Sequence, residues 1–231
     1  MGSACTVAMH APHMHPPCAC SSALPEAHAS SPLLLTSSLV AGAPSGVKVT
    51  RVGYCGGSVP DPTYKRVCRD PKFSDWAECV QVDFDEAEVS FEDLCRLFFQ
   101  LHDPSAEPRK RQYMSAIFAH TDRQFETANR VLEEVRRGRP ARVSTKVERA
   151  TDFFEGEFYH QKWLLQRKPE WFKSLGLADP RELIEGEPAS KINAHAGGHV
   201  PKEAMRAYLN DWIKRGVISK EAYKRLSVSL S

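Results

Sequence analysis

The chain has 231 residues, 31 lysines and arginines against 29 aspartates and glutamates, and 42% hydrophobic residues. That describes one globular domain, or one domain with a tail. A net charge of +2 gives no reason to expect a nucleic-acid surface. The longest apolar stretch, Leu33 to Ala43, is broken by Thr36, Ser37 and Ser38 and falls far below the roughly 20 residues that cross a bilayer.

Charge is unevenly spread. Residues 1–46 hold one charged residue, Glu26, and three of the seven cysteines. This Ala/Ser/Pro/His-rich segment reads as a disordered tail. Three further readings stay open for it. The acid-poor start resembles an organelle transit peptide, although it lacks arginines. Met1-Gly2-Ser3-Ala4-Cys5-Thr6 fits a myristoylation pattern, with Cys5 placed for palmitoylation. His10, His13, His15, Cys18 and Cys20 are soft ligands suited to zinc or copper, but their spacing matches no closed site, so no metal is expected. The expected compartment is the cytoplasm, with plastid, mitochondrion or a membrane surface reached through Gly2 as alternatives.

From Val47 the pattern changes. Val47, Val49, Arg51, Val52 and Gly53 predict a strand running into the glycine turn Tyr54-Cys55-Gly56-Gly57. Alternation over Ala77 to Phe84 predicts a second strand, with Glu78, Val80, Val82 and Phe84 on one side and Cys79 facing away from Glu78. Ser90 and Asp93 open a helix carrying Leu94, Leu97, Phe98 and Leu101, which stops near His102-Asp103-Pro104. A strand follows at Ser115 to His120. A helix capped at Asp122 and ended by Gly138 comes next, then a strand-like Arg142 to Val147 and an aromatic group, Phe153, Phe154, Phe158, Tyr159 and Trp163. The last 31 residues predict two short helices parted by Gly216. Strands and helices mix without strict alternation, which predicts an α+β layered domain. The expected division is a tail at 1–46, a domain at 47–185 and a helical extension at 186–231.

Five segments in this order resemble the methionine sulfoxide reductase A family, the peptide-methionine (S)-S-oxide reductases. They are Gly46-Val47 through Gly53-Tyr54-Cys55-Gly56-Gly57; Asp61-Pro62-Thr63-Tyr64 with Val67-Cys68; Trp76-Ala77-Glu78-Cys79-Val80; Phe98-Phe99 with His102-Asp103-Pro104 and Gln112 to Ile117; and Glu157-Phe158-Tyr159-His160-Gln161. Lys191-Ile192-Asn193 with Gly197-Gly198 is similar to a C-terminal segment of many members. The resemblance implies a two-layer α/β sandwich with a mixed sheet. It also implies a reaction in which a cysteine thiolate attacks the sulfoxide sulfur of oxidised methionine and the resulting sulfenic acid is reduced by another thiol.

Such a site needs a thiol, an acid, hydroxyl donors for the sulfoxide oxygen and an aromatic pocket for the S-methyl group. By resemblance Glu78 is the acid, its pKa expected to rise through burial, and Tyr64 and Tyr113 are the oxygen donors. Tyr54 and His160 are expected beside the pocket. The family's Gly-Cys-Phe-Trp motif, which holds the nucleophile and the aromatic pair, is absent from this sequence, as is the aspartate before the Gln-Tyr pair. The strand and helix around that motif are therefore expected to be missing, and Cys55 is the substitute nucleophile expected among the body cysteines. The resemblance implies no cofactor, oxidised methionine in proteins or free as substrate, and thioredoxin or another external dithiol as reductant. The alternative is a relative that binds methionine sulfoxide without reducing it.

Overall fold

A computed structural model describes residues 3–8 and 42–230. Six strands form one sheet in the order β5-β4-β1-β3-β2-β6. They are β1 (Ser3–Ala8), β2 (Val47–Cys55), β3 (Ala77–Phe84), β4 (Ala116–Ala119), β5 (Lys146–Arg149) and β6 (Phe154–Glu155). Each pairing is antiparallel except β4 with β5, so the sheet is mixed. The α+β class expected from the sequence is what the chain adopts.

The expected missing first strand is supplied from within the presumed tail. Ser3–Ala8 lies at the middle of the sheet, Val7 opposite Val80 on one side and Ile117 on the other. Its alternating apolar residues Cys5 and Val7 join Val52, Val80, Val82, Phe84 and Ile117 in one buried cluster. Cys5 is 1% exposed there. Gly2, the His10 to Cys20 ligand group and Leu33 to Val40 lie outside the described residues.

Two helices cover that face, α2 (Phe91–Gln100) and α3 (Asp122–Arg137), after a short α1 (Tyr64–Arg69). Ser90 and Asp93 cap α2 reciprocally, as their spacing predicts, while α3 is capped by Thr121 rather than Asp122. Leu94, Phe98, Val131 and Leu132 seal the sheet, each fully buried side chain of this kind contributing about 1.5–3 kcal/mol. His102 stays behind this layer, its ring bonded to the Phe98 carbonyl at 2.8 Å and Ser115 Oγ at 2.7 Å, with Thr145 next in the chain of hydroxyls. The His-Asp-Pro segment therefore ties the end of α2 to the β4–β5 edge.

Six further helices follow among the described residues: α4 (Trp163–Gln166), α5 (Pro169–Leu175), α6 (Pro180–Glu185), α7 (Glu187–Ala196), α8 (Lys202–Arg215) and α9 (Lys220–Ser229). Gly216 takes a positive φ of 70° between α8 and α9, the separation its position predicts. Their core runs from Leu165 to Leu230 around Trp212 and so begins ahead of the expected boundary at 186. This layer docks on β2 through polar clamps. Arg51 binds Glu185 and Asp83, Ser190 Oγ accepts from Thr50 N at 3.2 Å, and Lys191 Nζ donates to the carbonyls of Gly42 and Pro44.

Lys162 is a further clamp, 1% exposed and donating to the carbonyls of Thr50 and Ile184. Burial, followed by the Arg51 charge, pushes its pKa down to about 7. Between there and the unfolded value of about 10.4, the unfolded chain holds a proton that the folded chain does not. Stability from this group therefore rises with pH across that window, by up to about 1.4 kcal/mol per unit. Lys162→Met should remove that slope, so the wild type's advantage in urea midpoint should widen from pH 7 to pH 9. A gap that stays constant would show that Lys162 keeps its proton.

Candidate active site

Cross-strand partners share a face, and neighbours along a strand alternate. Tyr54 faces Glu78 across β2 and β3, whereas Cys55 pairs with Ala77 and Gly53 with Cys79. Glu78 and Tyr54 therefore lie on one face at the strand end, and Cys55 and Cys79 on the other. Cys79 faces away from Glu78, as alternation predicts.

Glu78 is 3% exposed, and Gln112 Nε2 donates to its carboxylate. The same amide reaches Cys68 Sγ at 3.2 Å. Cys68 lies one helical turn after Tyr64 on α1, which Thr63 starts by accepting from Arg66 N. The Tyr64 phenol is raised above its usual range by burial first, then by Cys68, Glu78 and Tyr113 around it and a hydrogen bond to Cys68. Glu78, Tyr64 and Tyr113, expected to act together, are thus brought together from three separate segments.

Glu157 fixes the back of this group. Its carboxylate accepts from Tyr54 Oη at 3.0 Å and from Tyr64 N at 2.7 Å. Tyr54 is wholly buried and its phenol is raised, mainly by burial and by Glu157. It braces Glu157 from a fully buried position. His160 is 1% exposed, its ring 5.3 Å from that of Tyr64 and 4.2 Å from that of Tyr159, with Nε2 3.7 Å from Glu157. It packs behind Tyr64, while Tyr159, 48% exposed, stands at the rim. Trp76 is buried nearby, its indole donating to the Val59 carbonyl at 2.9 Å. Gly57 must be glycine here, because a Cβ would overlap the Trp76 ring.

Cys55, the expected substitute nucleophile, is placed elsewhere. Its thiol is wholly buried, with Thr151 Oγ1 at 3.7 Å and an apolar surround of Ala8, Ala77, Met114 and Phe118. A hydrogen bond from Cys79 lowers its pKa to about 7 against the opposing effect of burial. That makes it an acidic thiol on the far side of the sheet from Glu78, because odd and even positions of β2 point to opposite faces. Sequence reasoning missed Gln112 as a bridge and Glu157 as a brace. The Tyr64 to Cys68 spacing of one helical turn could have placed Cys68 in the site.

Residues 38–186 match the family described as peptide methionine sulfoxide reductase. The chain is 39% identical over 127 residues to a peptide methionine sulfoxide reductase MsrA of Methanococcus maripaludis, covering 53% of this chain and 80% of that one. It is 36% identical over 159 residues to the peptide methionine sulfoxide reductase of Drosophila melanogaster, covering 68% of this chain but only 62% of that relative's length. Among solved structures, it superposes on reduced Mxr1 from Saccharomyces cerevisiae with a TM-score of 0.55 at 22% identity, over 73% of this chain and 86% of that one. It superposes on methionine sulfoxide reductase A of Corynebacterium diphtheriae with a TM-score of 0.52 at 22% identity, over 73% of this chain and 76% of that one. Those superpositions establish the fold, and the sequence matches establish more: the chain belongs to the peptide methionine sulfoxide reductase family.

Proposed function

We propose that the chain reduces the S-epimer of methionine sulfoxide, in proteins or as the free amino acid, as a thiol-dependent oxidoreductase. The observation that carries this reading is the convergence of the buried Glu78 carboxyl, the Tyr64 phenol and the Gln112-Tyr113 pair at one end of β3. Glu78 supplies a proton to the leaving sulfoxide oxygen. The phenols of Tyr64 and Tyr113 donate to that oxygen while its charge develops, where preorganised donors in a dry site count most. Tyr54 and His160 hold Glu157 and the Tyr64 ring in place. The reductant is an external dithiol of the thioredoxin kind, because a sulfenic acid needs two more electrons to return to a thiol.

The test is reduction of an N-blocked methionine (S)-sulfoxide with dithiothreitol, followed by chromatography of the methionine product. Turnover of the S-epimer and not the R-epimer is expected. Binding of a methionine-sulfoxide peptide without turnover would replace this reading with that of a non-catalytic relative.

A further inference from the structure

The family's Gly-Cys-Phe-Trp thiol has no counterpart in this sequence, and Cys55 is on the wrong face. The Glu78 end of the sheet nevertheless holds a thiol of its own. Cys68 lies in the last turn of α1 at 8% exposure, and its Sγ accepts the Gln112 amide at 3.2 Å. Because the same Nε2 also binds Glu78, one donor sets the sulfur and the acid beside each other. The Tyr64 phenol is hydrogen-bonded to the thiol. The Lys110 ammonium donates to the Cys68 carbonyl at 3.1 Å, which places a cation against the residue. Two donors, the Gln112 amide and the Tyr64 phenol, are therefore aimed at the sulfur.

Aromatic rings gather at the same end of the site. Tyr64 is half-buried one turn before Cys68, Tyr159 is close enough for its phenol to be raised partly by the Cys68 charge, and the rings of Tyr64 and Tyr159 both pack on His160. Tyr159 reaches solvent, so this group of rings lies at the protein surface. A thiol, the requirement lost with the missing motif, is thus present at this end of β3 beside two tyrosines.

We propose that Cys68 is the nucleophile of this chain, acting with Glu78 as its acid and with Gln112 as the residue that positions both. This rests on the reductase reading above. The Cys68 thiolate attacks the sulfoxide sulfur while Glu78 protonates the oxygen. The S–O bond of the substrate breaks, the oxygen passes to the Cys68 sulfur as a sulfenic acid, and methionine leaves. The methionine sulfur gains two electrons and the cysteine sulfur loses two. An external dithiol then forms its own disulfide, releases water and returns Cys68 to the thiol, while Glu78 regains its proton from solvent.

The experiment uses the full chain in the dithiothreitol assay. Cys68→Ser should lower turnover at least about 100-fold, whereas Cys55→Ser and the double change Cys18→Ser with Cys20→Ser should stay near wild type. A single turnover without dithiol, trapped with dimedone, should add the label at Cys68, a readout that does not depend on any variant folding. Label on another cysteine, or an active Cys68→Ser variant beside an active wild type, would overturn Cys68 and leave the reductase reading standing. A wild type that leaves the sulfoxide intact would overturn both.

Discussion

Glu78→Gln is expected to slow reduction of methionine (S)-sulfoxide by about 10²–10⁴-fold, the usual contribution of a positioned general acid. The substitution keeps the side chain's length, and its carbonyl oxygen can still accept from Gln112 Nε2, so the buried contact at the end of β3 survives. What it removes is a group able to give up a proton at physiological pH. The expensive moment of the reaction is the departure of the sulfoxide oxygen, and without a proton that oxygen leaves as a poorly stabilised anion. The loss should therefore fall on kcat more than on KM, since Tyr64 and Tyr113 remain to bind the oxygen. Steady-state kinetics with a thermal melt of each protein checks this. A variant with an unchanged melt and a rate within about threefold of wild type would remove Glu78 from the acid's role.

Val7→Asp is expected to cost about 3 kcal/mol or more, a large part of the about 5–15 kcal/mol that holds a typical domain together. Val7 is 8% exposed between Val80 and Ile117 at the middle of the sheet. The change forfeits roughly 1.5–3 kcal/mol of apolar burial and sets an uncompensated carboxylate inside a cluster of valine, phenylalanine and isoleucine. Denaturant midpoints for wild type and variant provide the measure. A shift under about 0.5 kcal/mol, the scale of an ordinary surface change, would mean that Ser3–Ala8 is not part of the sheet.

Where the apolar pattern was strong and local, the sequence was readable. Alternation from Ala77 to Phe84 marked β3 residue for residue, and Ser90 with Asp93 marked the start of α2. Ser3–Ala8 escaped because Ala, Cys, Thr and Val alternate too weakly to stand out in an Ala/Ser-rich segment, and its status as a strand depends on partners far along the chain. Helices α4 to α7 are four to ten residues long, too short for their apolar residues to show a clean period. In the site, Glu78, Tyr64 and Tyr113 were legible through family motifs. Glu157 and Gln112 were not given roles, because what they do is hold other side chains, and such work shows only once the partners are in place. Cys55 drew notice as the body cysteine nearest a recognisable turn, but nearness in sequence said nothing about which face its sulfur takes.

The position of β1 also has a kinetic side. Thr6 meets His120, 114 positions further along the chain, and Val7 needs both Val80 and Ile117. A ribosome adding about 5–20 residues per second leaves this segment without its second neighbour for roughly 6–20 s after it emerges. Until β4 arrives, the middle of the sheet stays open, which puts the commitment to the native sheet late in synthesis.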